Sequence, residues 1–359
     1  MLDFESAEHR EDPSRTFRAL LDAGERAVPV RGMRAFLILR YADCLALLND
    51  HRAGFESVED LSKAPLDLQG YFEMRQRLML FQNPPQHALT RAAGVKALRQ
   101  CPLMDLEKAM RTRARSLLQG FEKGDFIAEV ARPYVAQAVV DVLALRDLDL
   151  KRVTDLSQAL ADSLDPCSPL NDRQAAGGQY LALKKEVQDS AHGEIETATL
   201  VMLVAAGLQT TGHILGTAVR RLVETGEKVS PQYIEECYRY DSPAQMTRRI
   251  VRERMKLAGR DFQPGTVLWC GIAAGNRDQA VFEQPERFLA QRQPNRHLAF
   301  GSGSHACIGA TLARRQLKTF LEEFQNYQWK LEGGESWNGN LVFRGLSALP
   351  MSRKPETGG

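Results

Sequence analysis

A ten-residue loop with three glycines and one cysteine is the feature that most constrains this chain. It reads FGSGSHACIG from Phe300 to Gly309 and leads directly into a helix with an apolar stripe. Glycines allow a backbone to pass close to a bulky flat group. The first N–H groups of a helix stabilise a thiolate beside them. The loop therefore predicts that Cys307 occupies a special position in front of a helix.

Four roles are open to Cys307. A buried structural thiol is the ordinary one. A zinc site formed by His305 and Cys307 lacks a second ligand pair at finger spacing, and a nucleophile needs a base although the chain has only 7 histidines. The fourth role is an axial thiolate of a haem, which needs N–H donors, a dry wall such as Phe300 and room for a flat ring. We favour the fourth role, and the others stay open at this point.

Composition narrows the function classes. The 359 residues are 43% hydrophobic and 26% charged, with a net charge of +2, which is typical of a globular protein and argues against nucleic acid or an anionic membrane as partner. The six cysteines are far apart, and we find neither a signal-peptide core nor an 18-residue apolar run. We therefore expect reduced thiols, no transmembrane helix and a cytoplasmic location.

Helical periodicity dominates the pattern. Asn83 is predicted to cap a helix that begins at Pro84, Ser230 precedes another, and a long apolar helix covers about 194–223. Three segments look like hairpins, namely VPVRGMRAFLILR, MKLAGRDFQPGTVLWCGI and NLVFRGLSALPMS. We predict a mainly α fold with small β-sheets, one domain over residues 1–359, and a disordered tail at 352–359. Further helices are expected near 14–24, 41–49, 103–120, 125–145, 150–164 and 171–189.

The cysteine loop resembles the haem loop of the cytochrome P450 superfamily in its bacterial form. A Glu236-x-x-Arg239 pair stands 71 residues ahead of Cys307, and Arg292 follows in PERFLAQRQP. These match the buried triad of that family, whose role is folding and haem retention. The resemblance implies the single-domain P450 fold with a shortened roof region, and haem b with Cys307 as the axial ligand of the iron.

Further residues match the family's haem contacts. His87 and Arg91 in NPPQHALTR, Arg249 in SPAQMTRRI and His305 would bind the haem propionates by charge-assisted hydrogen bonds. In the long central helix, Ala206 and Gly207 would approach the ring. The resemblance thus gives a cofactor-binding set of His87, Arg91, Ala206, Gly207, Arg249, Phe300, Gly301, His305 and Gly309.

The central helix also carries a departure from the family. Thr210 matches the alcohol that hydrogen-bonds bound oxygen, and with Gly207 it favours a local bulge. The family usually has an acid directly before this threonine, whereas this chain has Gln209. Gln209 could organise a water chain, the substrate could supply a polar group, or the oxidation could be peroxide-driven or otherwise atypical. Thr210 and Gln209 are the catalytic candidates.

The resemblance implies a haem-thiolate monooxygenase that hydroxylates or couples an organic substrate in specialised metabolite biosynthesis. Electrons would come from ferredoxin and ferredoxin reductase, docking near Arg91, Lys96, Arg99 and Arg314 or Arg315. A shortened roof would suit a large or carrier-protein-tethered substrate, although a small substrate is equally open. A non-catalytic, partner-binding relative is the rival from another class. Candidate pocket residues are Val204, Ala244, Gln245, Met246, Thr247, Leu346 and Ser347.

Overall fold

Helices make up most of the molecule, as predicted. The computed structural model describes residues 1–56, 65–99, 102–143, 149–188 and 193–355. Single turns of tighter helix lie at Leu66–Leu68, Met79–Phe81 and Gly303–His305, and a wider turn at Ile127–Ala131. The helices are α1 Ala7–Glu11, α2 Pro13–Asp22, α3 Tyr41–Asn49, α4 Gln69–Arg77, α5 Gln86–Leu98, α6 Leu103–Gly120, α7 Arg132–Val142, α8 Leu150–Leu164, α9 Leu170–Gln188, α10 Glu194–Thr225, α11 Pro231–Tyr240, α12 Ile272–Gly275 and α13 Ala310–Phe324.

Small sheets collect strands from both ends of the chain. A five-stranded sheet has the order β1-β2-β8-β5-β3, with only the β2–β8 pair parallel. A three-stranded sheet has the order β4-β12-β9, and β6–β7 and β10–β11 form two ribbons. The strands are β1 Ala27–Pro29, β2 Ala35–Ile38, β3 Ala53–Gly54, β4 Lys123–Asp125, β5 Thr247–Val251, β6 Met255–Leu257, β7 Arg260–Phe262, β8 Val267–Cys270, β9 Trp329–Leu331, β10 Ser336–Trp337, β11 Leu346–Ala348 and β12 Pro350–Arg353.

Three local expectations are wrong. Asn83 caps no helix, because its side chain instead binds the backbone of Phe55 (N–H to Oδ1 2.9 Å, Nδ2 to O 3.1 Å). Strands β11 and β12 do not pair with each other, since β11 joins β10 and β12 joins β4 and β9. The tail is also ordered further than expected, with Ser352 and Arg353 in β12. Residues 356–359 lie outside the described part of the chain.

Helix α10 runs through the main core and packs against α5, α7, α8, α9 and α13. Apolar side chains such as Val201, Ile214 and Val219 are fully buried on it. Its length and composition would let it cross a bilayer, which the sequence analysis did not foresee, and 61% of its most apolar window is buried inside the protein. The apolarity of α10 is thus explained by its central packing.

A histidine locks α10 to the C-terminal ribbon. His213 is half-buried, and its Nε2 lies 3.3 Å from Asn338 Nδ2. Asn338 in turn accepts a hydrogen bond from the backbone N–H of Gly345 (3.1 Å). A Cβ atom at Gly345 would lie only 2.3 Å from His213 Cγ. The ribbon can therefore approach the helix this closely only at a residue without a side chain.

We predict that Gly345→Ala destabilises the protein by about 1–3 kcal/mol, because the new methyl group overlaps the packed ring of His213. Gly339→Ala is the matched control in the same segment, since a Cβ there meets nothing within 4 Å. The control should change the free energy of unfolding by less than about 1 kcal/mol. Urea unfolding followed by circular dichroism measures both, and equal effects would show that the contact with His213 is unimportant.

Candidate functional site

A cavity of about 780 Å³ lies at the centre of the molecule. The cysteine loop forms one part of its wall, with Cys307 among the lining residues. Another part is a single face of α10, formed by Leu203, Ala206, Gly207 and Thr210. These four residues follow the i, i+3, i+4, i+7 spacing of one helix face. The cavity therefore brings the predicted thiol and the predicted central helix together around one space.

Two left-handed glycines shape the cysteine loop. Gly301 has φ +67° and Gly303 has φ +71°, a region that side chains rarely adopt. A Cβ atom at Gly303 would also lie 2.6 Å from the carbonyl oxygen of Leu48. The backbone N–H of Cys307 donates to the carbonyl of Phe300 (2.8 Å), which closes the loop. The glycine pattern is thus required by turns and by a close approach to α3.

The Cys307 thiol opens into the cavity rather than into the protein core. Burial by the surrounding loop raises its pKa, while the N–H groups of Gly309 and Ala310 at the start of α13 act in the opposite direction. A Cβ atom at Gly309 would lie 3.8 Å from the sulfur. The sulfur is therefore surrounded by backbone donors and faces an enclosed space, the setting of a ligand atom.

Glu235 connects the cysteine loop to α11. The sequence analysis did not identify this residue. Its carboxylate accepts two hydrogen bonds from Arg314 (2.6 and 2.8 Å) and lies 3.0 Å from His297 Nε2. The Arg314 guanidinium stacks 4.2 Å above the Phe300 ring. Burial raises the pKa of Glu235, but these hydrogen bonds lower it to about 2. Arg314 is therefore held in place beneath the loop and is not a free surface charge.

The structure brings Glu236, Arg239 and Arg292 together in a buried cluster. Arg239 binds both carboxylate oxygens of Glu236 (2.7 and 2.8 Å), and Arg292 Nε lies 3.0–3.1 Å from the same two atoms. The side chains of Glu236 and Arg239 are fully inaccessible to solvent. Both arginines also donate to backbone carbonyls between residues 276 and 287. The cluster therefore fixes the long loop that leads to the cysteine.

Two histidines and two arginines converge at one edge of the cavity. The rings of His87 and His305 are 3.9 Å apart, and His87 Nε2 is buried without a hydrogen-bond partner. Arg91 donates to the carbonyl of Ala306 (2.8 Å), and Arg249, only 4% exposed, donates to the carbonyl of Arg248 (2.8 Å). Neither Arg91 nor Arg249 has a carboxylate partner among the described residues. Within the described part of the chain, neither arginine of this edge therefore has an anionic partner.

Burial sets the protonation of this edge. It lowers the pKa of His305 to about 3, and the charge of Arg249 acts in the same direction. It likewise lowers the pKa of His87 and of Arg249. Each shift disfavours a positive charge that no protein carboxylate compensates. An anionic ligand would remove this penalty.

Helix α10 presents Thr210 to the cavity but not Gln209. Thr210 Oγ1 donates to the carbonyl of Ala206 (2.9 Å), and the helix is continuous there, so the expected bulge is absent. Gln209 Nε2 donates to Gln158 Oε1 on α8 (2.9 Å), and Gln209 is not among the residues that line the cavity. Adjacent residues of a helix point about 100° apart. The amide that replaces the usual acid is therefore turned toward the neighbouring helix.

The pocket candidates divide into two groups. Ala244, Met246 and Thr247 line the cavity. Four others do not, because Val204 and Leu346 are buried in the main core, Gln245 Nε2 donates to the carbonyl of Ser242 (2.6 Å), and Ser347 Oγ pairs with Ser336 Oγ (2.8 Å). In the C-terminal segment, Val342 and Phe343 line the cavity instead of Leu346 and Ser347. No sequence pattern indicated this, because the irregular segment before β11 has no periodicity.

The sequence analysis also missed an ionic cluster in the cavity wall. Glu56 lies between Arg75 on α4 and Arg248 on β5, and all three residues line the cavity with Tyr71. The only available signal was the consecutive pair Arg248-Arg249, of which one member alone matched a known motif. Arg248, the member that matched no motif, pairs with Glu56 instead.

Comparison with known proteins tests the family resemblance. A family model described as Cytochrome P450 matches residues 228–348. The polyketide biosynthesis cytochrome P450 PksS of Bacillus subtilis (strain 168) is 29% identical over 359 residues, which cover 89% of this chain and 89% of that protein. Cytochrome P450 119 of Sulfurisphaera tokodaii is 29% identical to this chain, and the match covers 80% of this chain and 85% of that protein. The resemblance to the cytochrome P450 superfamily is confirmed.

Solved structures show the same fold. A structure titled P450BioI in complex with hexadec-9Z-enoic acid ligated acyl carrier protein superimposes with a TM-score of 0.87 at 23% identity, covering 97% of this chain and 100% of that one. A thermophilic cytochrome P450 from Sulfolobus tokodaii gives 0.80 at 25% identity, covering 95% and 99%. These structures confirm the predicted fold class. The family model and the curated relatives show that the protein is an oxidoreductase of the monooxygenase type.

The residues present fit the haem that the family implies. The thiol of Cys307 opens into a cavity bordered by small residues of α10, which leaves room for a flat ring. The orphaned His87 Nε2 and the two arginines without carboxylate partners provide donors for two anionic groups. Both observations match the chemistry of a thiolate-bound haem with two propionates.

We predict that Glu236→Gln destabilises the protein by about 3–5 kcal/mol, because two buried guanidinium groups lose their counterion. The matched control is Asp155→Asn, which breaks an exposed pair with Lys151 (2.6 Å) and should change the free energy of unfolding by less than about 1 kcal/mol. Urea unfolding of both variants is the measurement. A small effect in Glu236→Gln would mean that the cluster does not hold the loop.

Proposed function

We propose that this protein is a haem-thiolate monooxygenase that oxidises an organic substrate, by hydroxylation or oxidative coupling, in specialised metabolite biosynthesis. One observation carries the proposal: the central cavity has an open cysteine sulfur in its wall, a face of small residues on α10, and an edge with two arginines and two histidines but no protein carboxylate partner among the described residues. The biosynthetic setting is supported by the biotin and polyketide biosynthesis P450s among the similar proteins.

Haem b is the proposed cofactor, with Cys307 as the axial ligand. His87, Arg91, Arg249 and His305 would bind the propionates, and Phe300 would keep water from the sulfur. The Phe300 ring is itself held between Arg314 (4.2 Å) and Tyr238 (4.5 Å). Ala206 and Gly207 would lie against the ring on α10, and Gly301 and Gly309 would shape the loop. When bound, the haem would supply dioxygen activation and oxidation of the substrate.

The remaining chemistry belongs to the chain's own groups. Thr210 Oγ1 would hold and pass a proton in the cavity, and its present bond to the carbonyl of Ala206 keeps the hydroxyl oriented. Gln209 would have no direct part, since its amide is engaged with Gln158 (2.9 Å). Its orientation supports proton supply by the substrate or by a peroxide co-substrate more than relay through Gln209. Peroxide-driven or otherwise atypical oxidation is therefore the alternative function.

Electrons would come from a ferredoxin and its reductase. Arg91, Lys96 and Arg99 line a shallow groove on α5 together with Ala88, Ala92 and Val95, which suits an acidic partner. Arg314 and Arg315 contribute less, because they pair with Glu235 and Glu107. The bacterial and archaeal relatives support a cytoplasmic location, and no nucleic acid or membrane partner is proposed.

The substrate enters beneath a short roof. Helix α8 ends at Leu164 and α9 begins at Leu170, and Asp165 and Pro166 between them line the cavity. The acyl carrier protein in the P450BioI structure supports a carrier-tethered substrate as one form, and a free organic acid is the other. A non-catalytic, partner-binding role has no support, since both the thiol and Thr210 reach the cavity.

We predict that the purified protein binds haem and that Cys307→Ser abolishes the absorption spectrum typical of thiolate-ligated haem, because a neutral hydroxyl cannot replace the thiolate. Cys167→Ser, a half-buried cysteine outside the cavity, is the matched control and should leave the spectrum unchanged. The measurement is the absorption of the reduced, carbon-monoxide-bound protein. A wild-type protein that takes up no haem would refute the proposed function.

We predict that Thr210→Val lowers the coupling of electron consumption to product by about tenfold or more, since general acid–base groups contribute roughly 10²–10⁴-fold. Gln209→Ala should change coupling by less than about threefold, because the amide lies outside the cavity. Reductant consumption and product are measured in parallel for both variants. A larger loss in Gln209→Ala than in Thr210→Val would restore a proton-relay role to Gln209.

A further inference from the structure

The cavity holds a second cationic cluster that the haem contacts leave unused. Arg75 Nη2 donates to Glu56 Oε2 (2.7 Å), and Arg248 Nη2 donates to Glu56 Oε1. Arg75 Nη1 also lies 3.3 Å from the hydroxyl of Tyr71. Two guanidinium groups thus share one carboxylate, which leaves one positive charge in excess inside an apolar wall.

Strand register separates this cluster from the haem edge. Strand β3 pairs with β5 so that Ala53 is opposite Val251 and Gly54 is opposite Ile250. Continuing this register places Phe55 opposite Arg249 and Glu56 opposite Arg248. The contacts agree, since Arg249 stacks 4.8 Å from the Phe55 ring while Arg248 pairs with Glu56. Because successive residues of a strand face opposite sides, the two arginines serve different groups.

Among the described residues, no other carboxylate in the cavity wall neutralises the excess charge. Six arginines line it among the described residues, against the carboxylates of Glu56 and Asp165. Asp165 is already engaged, because it accepts hydrogen bonds from the N–H groups of Leu341 and Cys167 (both 2.9 Å). Even with two haem propionates bound, the described lining residues would retain an excess of positive charge. A buried unpaired charge of this kind favours an anionic ligand.

The geometry favours a ligand that lies inside the cavity. The side chain of Arg75 is 5% exposed and that of Arg248 is 30% exposed. No described hydrogen bond uses Arg248 Nε or Nη1, and Arg248 lines the cavity. Burial lowers the pKa of Arg248, although Glu56 opposes this. A planar carboxylate is the anion that a guanidinium binds best with two parallel hydrogen bonds.

Apolar side chains continue from the cluster along the wall. Phe72, Met79, Leu80 and Phe81 line the same cavity, and the Phe81 ring packs 4.3 Å from the Arg75 guanidinium. A ligand that satisfies both features has a carboxylate at one end and a hydrocarbon body. A thioester attached to a carrier protein has no such carboxylate.

We infer that Arg75 and Arg248 form a substrate subsite that binds the free carboxylate of an apolar organic acid, with Glu56 as the residue that positions both guanidinium groups. This inference deepens the proposed function and rests on it. It assigns the substrate class as a free carboxylic acid whose charged end is anchored away from the haem propionates.

The test is a spectral titration of the haem-loaded protein with lauric, palmitic and aromatic carboxylic acids, each beside its methyl ester. Ligand entry changes the haem absorption, and calorimetry gives the affinity independently. Wild-type protein should bind at least one acid about tenfold or more tightly than its ester, since the loss of one partner from a buried, hydrogen-bonded charge pair weakens binding by at least this factor. Haem content is measured first, so that failure to load haem counts against the proposed function alone.

Two variants distinguish recognition of the ligand's carboxylate from a purely structural role in the cavity wall. Arg248→Gln should lower acid affinity at least about tenfold and leave ester affinity within about threefold. Glu56→Gln should keep or raise acid affinity, because it increases the excess positive charge. Arg254→Gln is the matched control, since Arg254 forms only an exposed pair with Asp261 (3.4 Å) on the β6–β7 ribbon, and it should change neither affinity.

Several results would overturn the inference. One is equal binding of acids and esters by the wild type, or no binding of any acid. Another is a parallel loss of acid and ester affinity in Arg248→Gln and Glu56→Gln, which would show a purely structural cluster. A third is tighter binding of a palmitoyl group tethered to an acyl carrier protein than of free palmitic acid.

Discussion

The burial of one carboxylate, Glu236, is the constraint on which the rest of the site depends. A buried carboxylate is tolerated only when its charge and its oxygens are satisfied, and Glu236 draws in Arg239, Arg292, Asn295 and the N–H of Leu289. These partners come from α11 and from the irregular chain that leads to the cysteine loop. An irregular segment of this length has no regular backbone hydrogen bonds to fix its conformation. The ionic cluster fixes it instead.

The preceding residue extends the same arrangement. Glu235 faces the other way and holds Arg314 at the start of α13 and His297 just before the loop. Two consecutive residues of α11 thus secure both ends of the cysteine loop. The thiol is placed by helix geometry and paired charges, although the loop that carries it has hardly any regular structure.

Much of this arrangement could be predicted, and the failures share a cause. The bounds of α8 at 150–164 and the capping of α11 by Ser230 follow from local periodicity and a local hydrogen bond, and the cysteine loop carries its own glycine pattern. The proposed Asn83 cap failed because a tertiary contact with Phe55 took its side chain. Val204 could have been excluded by helix spacing, since Ala206, Gly207 and Thr210 define a face that omits it. Glu56 and Arg75 were beyond reach, because only folding brings them to Arg248.

The alternation of faces along β5 has an evolutionary consequence. Thr247 and Arg249 face the cofactor edge, whereas Arg248 between them faces the ionic cluster. The residues on the neighbouring strand alternate in the same way, since Phe55 contacts Arg249 and Glu56 pairs with Arg248. Substitutions at one position can therefore alter the lining of the pocket while the cofactor edge stays intact. An inserted or deleted residue in either strand would exchange the two faces at once. Divergence of this chain should thus proceed by replacement at these positions, with strand length kept constant.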